Sequence, residues 1–83
     1  MKVRYFAWMR QTVGVSEEEV DVPADAVTIR DLLRTLRTRG AGHAEALAEG
    51  QTFGAALDSR VTPLDTPLAG AREVAFFPPF TGG

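Results

Sequence analysis

The sequence predicts an α+β fold in which one long amphipathic helix packs on a mixed sheet. Two observations carry this prediction. Segments near both ends of the chain alternate between apolar and polar residues, as strands do, and a central segment has apolar residues at helical spacing. The chain has 83 residues, of which 45% are hydrophobic and 24% charged, so we expect one globular domain. The predicted order of elements is β-β-α-β-β-β.

The first two strands are predicted from alternation near the start of the chain. Residues 2–7, KVRYFA, alternate throughout, and residues 17–22, EEEVDV, alternate in their second half, with Val20 and Val22 directed inward. Residues 11–15 contain a glycine and are predicted as the loop between the strands. Because the two strands are so close in sequence, we expect them to form a hairpin.

The helix is predicted over residues 28–39. Thr28 and Asp31 can form a capping box at its start, and Gly40 is predicted to end it as a left-handed C′ residue. The apolar residues recur at intervals of three and four, which places them on one stripe of the helix: Ile29, Leu32, Leu33 and Leu36.

The second half of the chain contains short elements. Residues 44–49 are predicted as a short second helix, and residues 53–57, 61–62 and 73–77 as strands, with a turn at residues 58–60. In the ubiquitin-like β-grasp arrangement, which has this order of elements, the first and last strands are parallel neighbours at the centre of the sheet. By analogy we expect the same pairing here.

The composition excludes several classes of function. The net charge is −2, so we expect no nucleic-acid partner and no anionic membrane partner. The absence of cysteine excludes disulfides, thiol nucleophiles and cysteine-bound persulfide. No signal peptide and no run of about 20 apolar residues is present, so we expect a cytoplasmic protein.

The strand faces predict an apolar patch on the surface of the domain. Phe6 shares a face with Lys2 and Arg4 on the first strand, and Phe77 shares a face with Glu73 on the last, so both rings are expected to point outward. Val61 is expected to extend the patch. Two further residues are candidates to border it: Trp8 and Met9. An exposed aromatic patch on a small domain indicates a partner site, although coverage by loops is the alternative.

Individual polar side chains give weaker signals. Arg10 lies just beyond the patch and is expected either to contact a partner or to be a solvated loop arginine. His43 is expected to be a solvent-exposed loop residue. The glutamates of residues 17–19 are expected to be a solvated strand start and not a metal site, because adjacent strand residues point to opposite faces. We therefore expect no metal site and no catalytic side chain.

The last six residues are predicted to be an extended tail, residues 78–83, outside a domain of residues 1–77. Pro78 and Pro79 favour polyproline II and cannot donate to a sheet, so they direct the chain away from the domain. Six residues reach roughly 20 Å at ~3.3 Å each. Gly82 and Gly83 have no Cβ and can pass through a narrow channel. We expect the carboxylate of Gly83, once activated as an acyl-adenylate, to be the reactive group.

Two segments carry a resemblance to a known family. TPLAGAREVAFFPPFTGG, residues 66–83, and VRYFAWMRQTVG, residues 3–14, resemble the small subunit of molybdopterin synthase. The resemblance implies a ubiquitin-like fold and an adenylyltransferase that activates Gly83 with ATP. Sulfur then replaces an oxygen to give a thiocarboxylate. The tail inserts into the large subunit and passes sulfur to cyclic pyranopterin monophosphate, which builds the dithiolene of molybdopterin.

The resemblance also implies roles for particular residues. Two small and two large subunits form a heterotetramer, no cofactor is permanently bound, and the acid-base groups belong to the large subunit. Phe6, Val61 and Phe77 match the hydrophobic contacts of the family, and Arg10 matches its arginine after the first strand. The residues that thread the partner ahead of Gly83 are Pro78, Pro79, Phe80, Thr81 and Gly82.

The sequence departs from the family pattern at two places. Ala71 and Arg72 follow Gly70 where an acidic pair is usual, and Asp58 stands where an asparagine is usual in the turn. Aspartate tolerates left-handed turn geometry nearly as well as asparagine. Because neither departure lies in the tail, we expect them to affect details of the contact with the large subunit and not the family resemblance itself.

Three other functions remain open at the level of sequence. A sulfur carrier of another pathway, such as thiamine synthesis, would share the fold and the chemistry up to the thiocarboxylate. A ubiquitin-like modifier would form amide-linked products with lysines of other proteins. A plain binding module would keep its function without Gly82 and Gly83.

Overall fold

The computed structural model describes residues 1–79, which form a five-stranded sheet with three helices. The elements in chain order are β1 (Lys2–Tyr5), α1 (Trp8–Val13), β2 (Glu17–Glu19), α2 (Ile29–Arg37), α3 (Ala41–Ala46), β3 (Gly54–Leu57), β4 (Arg60–Thr62) and β5 (Glu73–Phe77).

The sheet has the predicted parallel pair at its centre. The strand order is β2-β1-β5-β3-β4, and every pairing except that of β1 with β5 is antiparallel. In the parallel pair, Lys2 lies opposite Glu73 and Tyr5 opposite Phe76. Parallel neighbours need a long crossover connection, and the chain between β1 and β5 supplies it with the other strands and α2. The first and last strands therefore end at the same edge of the sheet.

Helix α2 covers the inner face of the sheet, as its apolar stripe predicts. The predicted capping box is present: the Thr28 hydroxyl accepts from the Asp31 amide at 3.2 Å, and an Asp31 carboxylate oxygen accepts from the Thr28 amide at 3.0 Å. The four stripe residues are buried against Val3, Val74 and Phe76 in one core. Complete burial of a side chain of this size stabilises the fold by about 1.5–3 kcal/mol.

The predicted end of α2 at Gly40 is wrong. The helix ends at Arg37, and Thr38 is the C-cap in a right-handed conformation. Gly40 has φ of 173°, which is extended backbone, and it precedes α3 as N-cap. Helix α3 itself spans Ala41–Ala46 instead of residues 44–49, because it packs on α1 and α2 and these contacts fix its position.

Helix α1 is absent from the sequence prediction, which treats residues 11–15 as a loop. The helix begins directly after β1, which ends at Tyr5, and it buries Met9 completely in the core. Ala7 turns the chain between the two elements with φ of 54°, a conformation that costs a non-glycine residue energy. Gly14, with φ of 101°, ends the helix by donating its N–H to the carbonyl of Arg10. Six residues without a clear stripe give too weak a periodic signal to predict this helix.

A partly buried polar cluster joins β1, β2 and α3 on the inner side of the sheet. One carboxylate oxygen of Glu18 accepts from the Tyr5 hydroxyl at 2.8 Å and contacts Nε2 of His43 at 2.6 Å. The other oxygen lies 3.2 Å from the guanidinium of Arg39. The predictions of a solvated Glu18 and an exposed loop His43 are therefore wrong. Glu18 and the buried Val20 are two residues apart, so their side chains point to the same face of an extended chain, although strand β2 itself ends at Glu19. This spacing is the sequence signal that Glu18 points inward.

The cluster has a defined electrostatic state. Burial raises the pKa of Glu18, but hydrogen bonds from His43 and Tyr5 and the charges of His43 and Arg39 outweigh it and hold the pKa below its ordinary value. Burial, followed by the hydrogen bond to Glu18 and its charge, raises the pKa of Tyr5 far above its ordinary value. The phenol consequently stays protonated and donates to an ionised carboxylate.

We expect Glu18→Gln to destabilise the fold at neutral pH by about 1–3 kcal/mol, the cost of losing hydrogen bonds to a charged, mostly buried group. Because the folded-state pKa of Glu18 is depressed, its contribution is present above the unfolded pKa and is lost as pH falls below that value. Chemical unfolding across acidic to neutral pH measures the effect. The difference between the proteins should shrink on acidification. Glu17→Gln, at an exposed ion pair with Lys2, is the matched control and should change stability little. Equal losses in both variants would contradict the prediction.

The turn between β3 and β4 contacts the start of β5. The contact involves Asp58 and Arg72, which lie at the two places where the sequence departs from the family pattern. Asp58 and Ser59 have φ of 47° and 71°, so aspartate takes the left-handed conformation expected of it. A carboxylate oxygen of Asp58 accepts from the amides of Arg72 and Glu73, each at 3.0 Å. The side chain thus satisfies two backbone donors at the start of β5.

Two further points concern the extent of the chain. Within residues 1–79, no helix has the length and apolar character needed to cross a bilayer. The division into a domain over residues 1–77 and a tail over residues 78–83 stays a prediction, because the last four residues lie outside the described part.

Candidate functional site

The outer face of the sheet, opposite α2, carries small apolar residues at its centre. Reading across the strands, Val61 of β4 lies opposite Ala56, Ala56 lies opposite Ala75, and Ala75 lies opposite Arg4 of β1. Since residues directly opposite each other share a face, this row is continuous from one side of the sheet to the other. Val61 is 70% exposed at the end of the row. Ala56 and Ala75 are only 8% and 9% exposed, so the exposed apolar residue of this row is Val61.

The next row contains the two predicted aromatic residues side by side. The Phe6 amide donates to the Phe76 carbonyl at 3.1 Å, which continues the parallel ladder one residue beyond β1 and sets Phe6 beside Phe77. Phe6 is 41% exposed and Phe77 is half-buried. Together with Ala7, Pro78 and Pro79, they line an open cavity of about 460 Å³. We call four of these cavity-lining residues, Phe6, Phe77, Pro78 and Pro79, together with Val61 in the neighbouring row on β4, the tail-root patch.

Gly54 positions the ring of Phe77, a role that the sequence analysis missed. Gly54 of β3 lies opposite Phe77, and a Cβ on Gly54 would lie 2.5 Å from Cε1 of that ring. The ring therefore lies directly over the backbone of the neighbouring strand. A glycine inside a strand often marks such a close approach, so the FGAAL segment contained the signal.

We expect Gly54→Ala to displace the Phe77 ring while leaving the fold intact, because the ring edge must move to make room for the methyl group. Chemical shifts and ring-to-backbone nuclear Overhauser effects report the displacement, and thermal unfolding reports stability. The control is Gly50→Ala, where an added Cβ meets nothing within 4 Å. An unmoved Phe77 ring in Gly54→Ala would contradict the close approach.

The border of the tail-root patch is mixed in character. The Arg4 guanidinium lies over the Phe6 ring at 5.1 Å from its centroid and 3.8 Å from Glu73. Arg10 is exposed on α1. Of the two candidate border residues, Met9 is completely buried and is excluded, whereas Trp8 is 36% exposed at the start of α1.

The chain leaves the sheet at the tail-root patch. Strand β5 ends at Phe77, and Pro78 and Pro79 follow it along the cavity. The other predicted tail residues, Phe80, Thr81, Gly82 and Gly83, lie outside the described residues. None of the five residues that line the cavity has a titratable side chain. The cavity therefore offers apolar contact, with the Arg4 guanidinium over the Phe6 ring as a cation at its border.

Comparisons with known proteins agree with this architecture. The model of the ThiS family matches residues 3–83. The molybdopterin synthase sulfur carrier subunit of Escherichia coli K12 is 39% identical over 83 residues, covering 100% of this chain and 99% of that protein. A solved structure from Pyrococcus furiosus, described as molybdopterin converting factor, subunit 1, has a TM-score of 0.73 at 32% identity and covers 95% of both chains. Small archaeal modifier protein 1 of Haloferax volcanii has a TM-score of 0.71 at 27% identity, covering 96% of this chain and 97% of that one.

A mixed sheet whose first and last strands are its central parallel pair, with a helix across one face, is the ubiquitin-like β-grasp architecture. Within this class, the match of the ThiS family model to residues 3–83 identifies the family. The chain belongs to the ThiS family.

Proposed function

We propose that this chain is the sulfur carrier subunit of a molybdopterin synthase, with the sulfur carried as a thiocarboxylate on Gly83. The observation that carries the proposal is the 39% identity, over the full length of both chains, to a protein named as such a subunit. The tail-root patch supports it, because an apolar surface at the exit of a tail suits a partner that must bind the domain and receive the tail together.

Activation is the first step of the proposed chemistry. A carboxylate oxygen of Gly83 attacks the α-phosphate of ATP on an adenylyltransferase, and pyrophosphate leaves. Hydrosulfide then attacks the carbonyl carbon, a carbon–sulfur bond forms, the bond to AMP breaks, and the sulfur loses its proton to solvent, which leaves a thiocarboxylate and AMP. Glycine hinders the attack less than any other residue because it has no side chain.

Delivery is the second step. The tail-root patch docks on the large subunit, and the tail reaches into the site where cyclic pyranopterin monophosphate receives the sulfur. Docking places the thiocarboxylate close to its acceptor and so makes transfer effectively unimolecular. Because the tail would carry Gly83 away from this domain into the large subunit, we expect the large subunit to supply the acid-base groups. A heterotetramer of two small and two large subunits is the proposed assembly.

A second candidate is a ubiquitin-like protein modifier. The similarity in fold to small archaeal modifier protein 1 favours it. Both functions begin with an activated Gly83, but a modifier ends with an amide bond to a lysine of another protein, whereas a carrier ends with sulfur transfer. A carrier of the thiamine type shares the thiocarboxylate and differs only in the acceptor.

Mass spectrometry of the C-terminal peptide tests the proposal directly. The chain is incubated with ATP, an activating adenylyltransferase and sulfide, and the peptide that contains Gly83 is isolated. We expect sulfur in place of one oxygen at Gly83. The measurement must use the peptide, because oxidation of Met1 or Met9 would complicate an intact mass.

Two outcomes decide between the candidates. Transfer of the sulfur to cyclic pyranopterin monophosphate on adding the large subunit supports the molybdopterin function over the thiamine type. An unmodified terminus, with an activating enzyme shown to be competent on another carrier, would overturn the proposal and favour a modifier or a binding module.

A further inference from the structure

Residues 6–9 form a tight turn between β1 and α1. The Met9 amide donates to the Phe6 carbonyl at 3.2 Å, which closes a four-residue turn with Ala7 at its second position. Ala7 has φ of 54° and ψ of −134°, close to the geometry of that position in a type II′ turn. Glycine dominates this position because a Cβ is sterically disfavoured there. The backbone of the turn therefore favours glycine at residue 7, where the chain has alanine.

Ala7 is also the N-cap of α1, a second position at which alanine is disfavoured. An N-cap side chain normally accepts a hydrogen bond from the first turn of the helix, which serine, threonine, aspartate and asparagine can do and alanine cannot. No side-chain hydrogen bond caps α1. Because glycine is also tolerated at N-caps, it would suit both the turn and the cap. Two local preferences are thus overridden at one residue.

The strain at Ala7 persists because both ends of the turn are anchored. The Phe6 amide donates to the Phe76 carbonyl at 3.1 Å in the sheet, and Met9 is completely buried in the core. Strained residues persist only where the surrounding structure fixes them, and they are concentrated at functional sites. Asp58, another non-glycine residue with positive φ, has a local explanation, because its carboxylate accepts from two amides at the start of β5. The methyl group of Ala7 cannot form a hydrogen bond, so its role depends on packing.

The packing role that the structure offers to Ala7 is in the cavity at the tail root. The residues that line this cavity are all apolar: Phe6, Ala7, Phe77, Pro78 and Pro79. Phe6 and Ala7 follow β1, whereas Phe77 ends β5 and the two prolines come after it. The cavity thus lies between the ends of two neighbouring strands. A polar N-cap residue would place a polar group in this wall, and glycine would leave the wall without a Cβ.

We propose that Ala7 is a positioning residue of the tail root, whose methyl group limits the directions in which Pro78 and Pro79 leave the sheet. The proline rings fix φ of both residues, but ψ of Phe77 and of Pro78 depends on what the rings pack against. An apolar wall on the β1 side holds the proline pair in one direction, so less conformational freedom is lost when a partner binds. The consequence for partner binding rests on the proposed function.

Ala7→Gly separates this role from a purely structural one, because the two roles predict opposite changes in stability. Glycine removes the strain and should raise the melting temperature by roughly 4 °C, even though glycine has more freedom in the unfolded chain. If the methyl group served only the fold, its removal would lower the melting temperature. The matched control is Ala24→Gly, at an exposed turn residue without positive φ. This control should lower the melting temperature by roughly 3 °C.

The order of the prolines is measured by nuclear magnetic resonance on the free chain. We expect the Cα–Hα order parameter of Pro78 to be ~0.85 in the parent chain and in Ala24→Gly, and to fall below about 0.6 in Ala7→Gly. Nuclear Overhauser effects between the proline rings and the Phe6 ring should weaken together with it. An unchanged order parameter in Ala7→Gly, a flexible Pro78 in the parent chain, or a lower melting temperature of Ala7→Gly would each overturn the inference.

Titration with the large subunit extends the test to binding. Ala7→Gly should bind about fivefold more weakly than the parent chain, since it loses the contact of one methyl group and must order the prolines on binding. The variant would then be more stable and yet bind more weakly, a combination that general destabilisation does not produce. Ala24→Gly should bind like the parent chain. Equal affinity of Ala7→Gly and the parent chain would overturn the consequence for binding.

The two measurements fail separately. If the parent chain does not bind a large subunit that is competent with another carrier, the proposed function is rejected. The order parameter of Pro78 in the free chain still decides whether Ala7 positions the tail root.

Discussion

Removal of Gly83 is expected to abolish sulfur transfer while leaving binding to the large subunit nearly unchanged. The shortened chain still ends in a glycine carboxylate, on Gly82, but its carbonyl carbon lies about 3.3 Å short of its place in the partner. A misplacement of about 1 Å already costs on the order of a hundredfold in rate, so a whole residue should reduce transfer below detection. The tail-root patch is intact in this variant, and it carries most of the proposed affinity.

The measurement pairs two assays on the same protein. Product formed with the large subunit and cyclic pyranopterin monophosphate reports transfer, and calorimetric titration with the large subunit reports binding. Gly83→Ala is the matched control, since it keeps the length of the tail and adds one methyl group. We expect it to transfer sulfur slowly and not to fail completely. Full transfer by the shortened chain would show that the position of Gly83 is not the reactive one.

Phe77→Glu is expected to weaken assembly with the large subunit by about 30-fold or more. The ring lies over Gly54 and lines the cavity at the tail root, so the substitution removes apolar contact and places a charge in the interface. Truncation of a central aromatic residue in an interface costs about 2 kcal/mol or more of binding free energy. A loss of about 2 kcal/mol corresponds to a roughly 30-fold weaker affinity.

Two valines provide the matched comparison. Val61→Glu places the charge in the tail-root patch at a residue that is 70% exposed, so the fold should tolerate it. Val27→Glu places the same charge at a valine outside the patch that is 60% exposed. Titration with the large subunit should show weaker binding for Val61→Glu, with Val27→Glu close to the parent chain. Equal affinity of all three variants would mean that the partner binds elsewhere.

Local signals in the sequence were sufficient for most of the fold. The stripe of α2 and its capping box act within a few residues, and the alternation of β5 predicts its bounds fully. The parallel pairing of β1 and β5 followed by analogy from the order of elements. The positions of Phe6 and Phe77 then followed from strand parity alone, because side chains alternate between faces with a period of two.

The missed features depend on contacts between distant parts of the chain. Helix α1 has six residues and no apolar stripe, and it is stabilised by burying Met9 and by packing on α3. His43 and Glu18 are 25 residues apart, and neither segment predicts the other. A charged residue near the edge of a sheet is read as solvated unless its partners are known.

By itself, the sequence determined the order of the five strands, the position of α2 between the second and third of them, and the outward direction of the two phenylalanines, since propensity and parity are local properties. Only the tertiary structure decided that Gly54 supports the ring of Phe77 and that Glu18 is held by Tyr5, His43 and Arg39. These are contacts across strands and between layers, and they exist only when the strand register and the helix positions are fixed together.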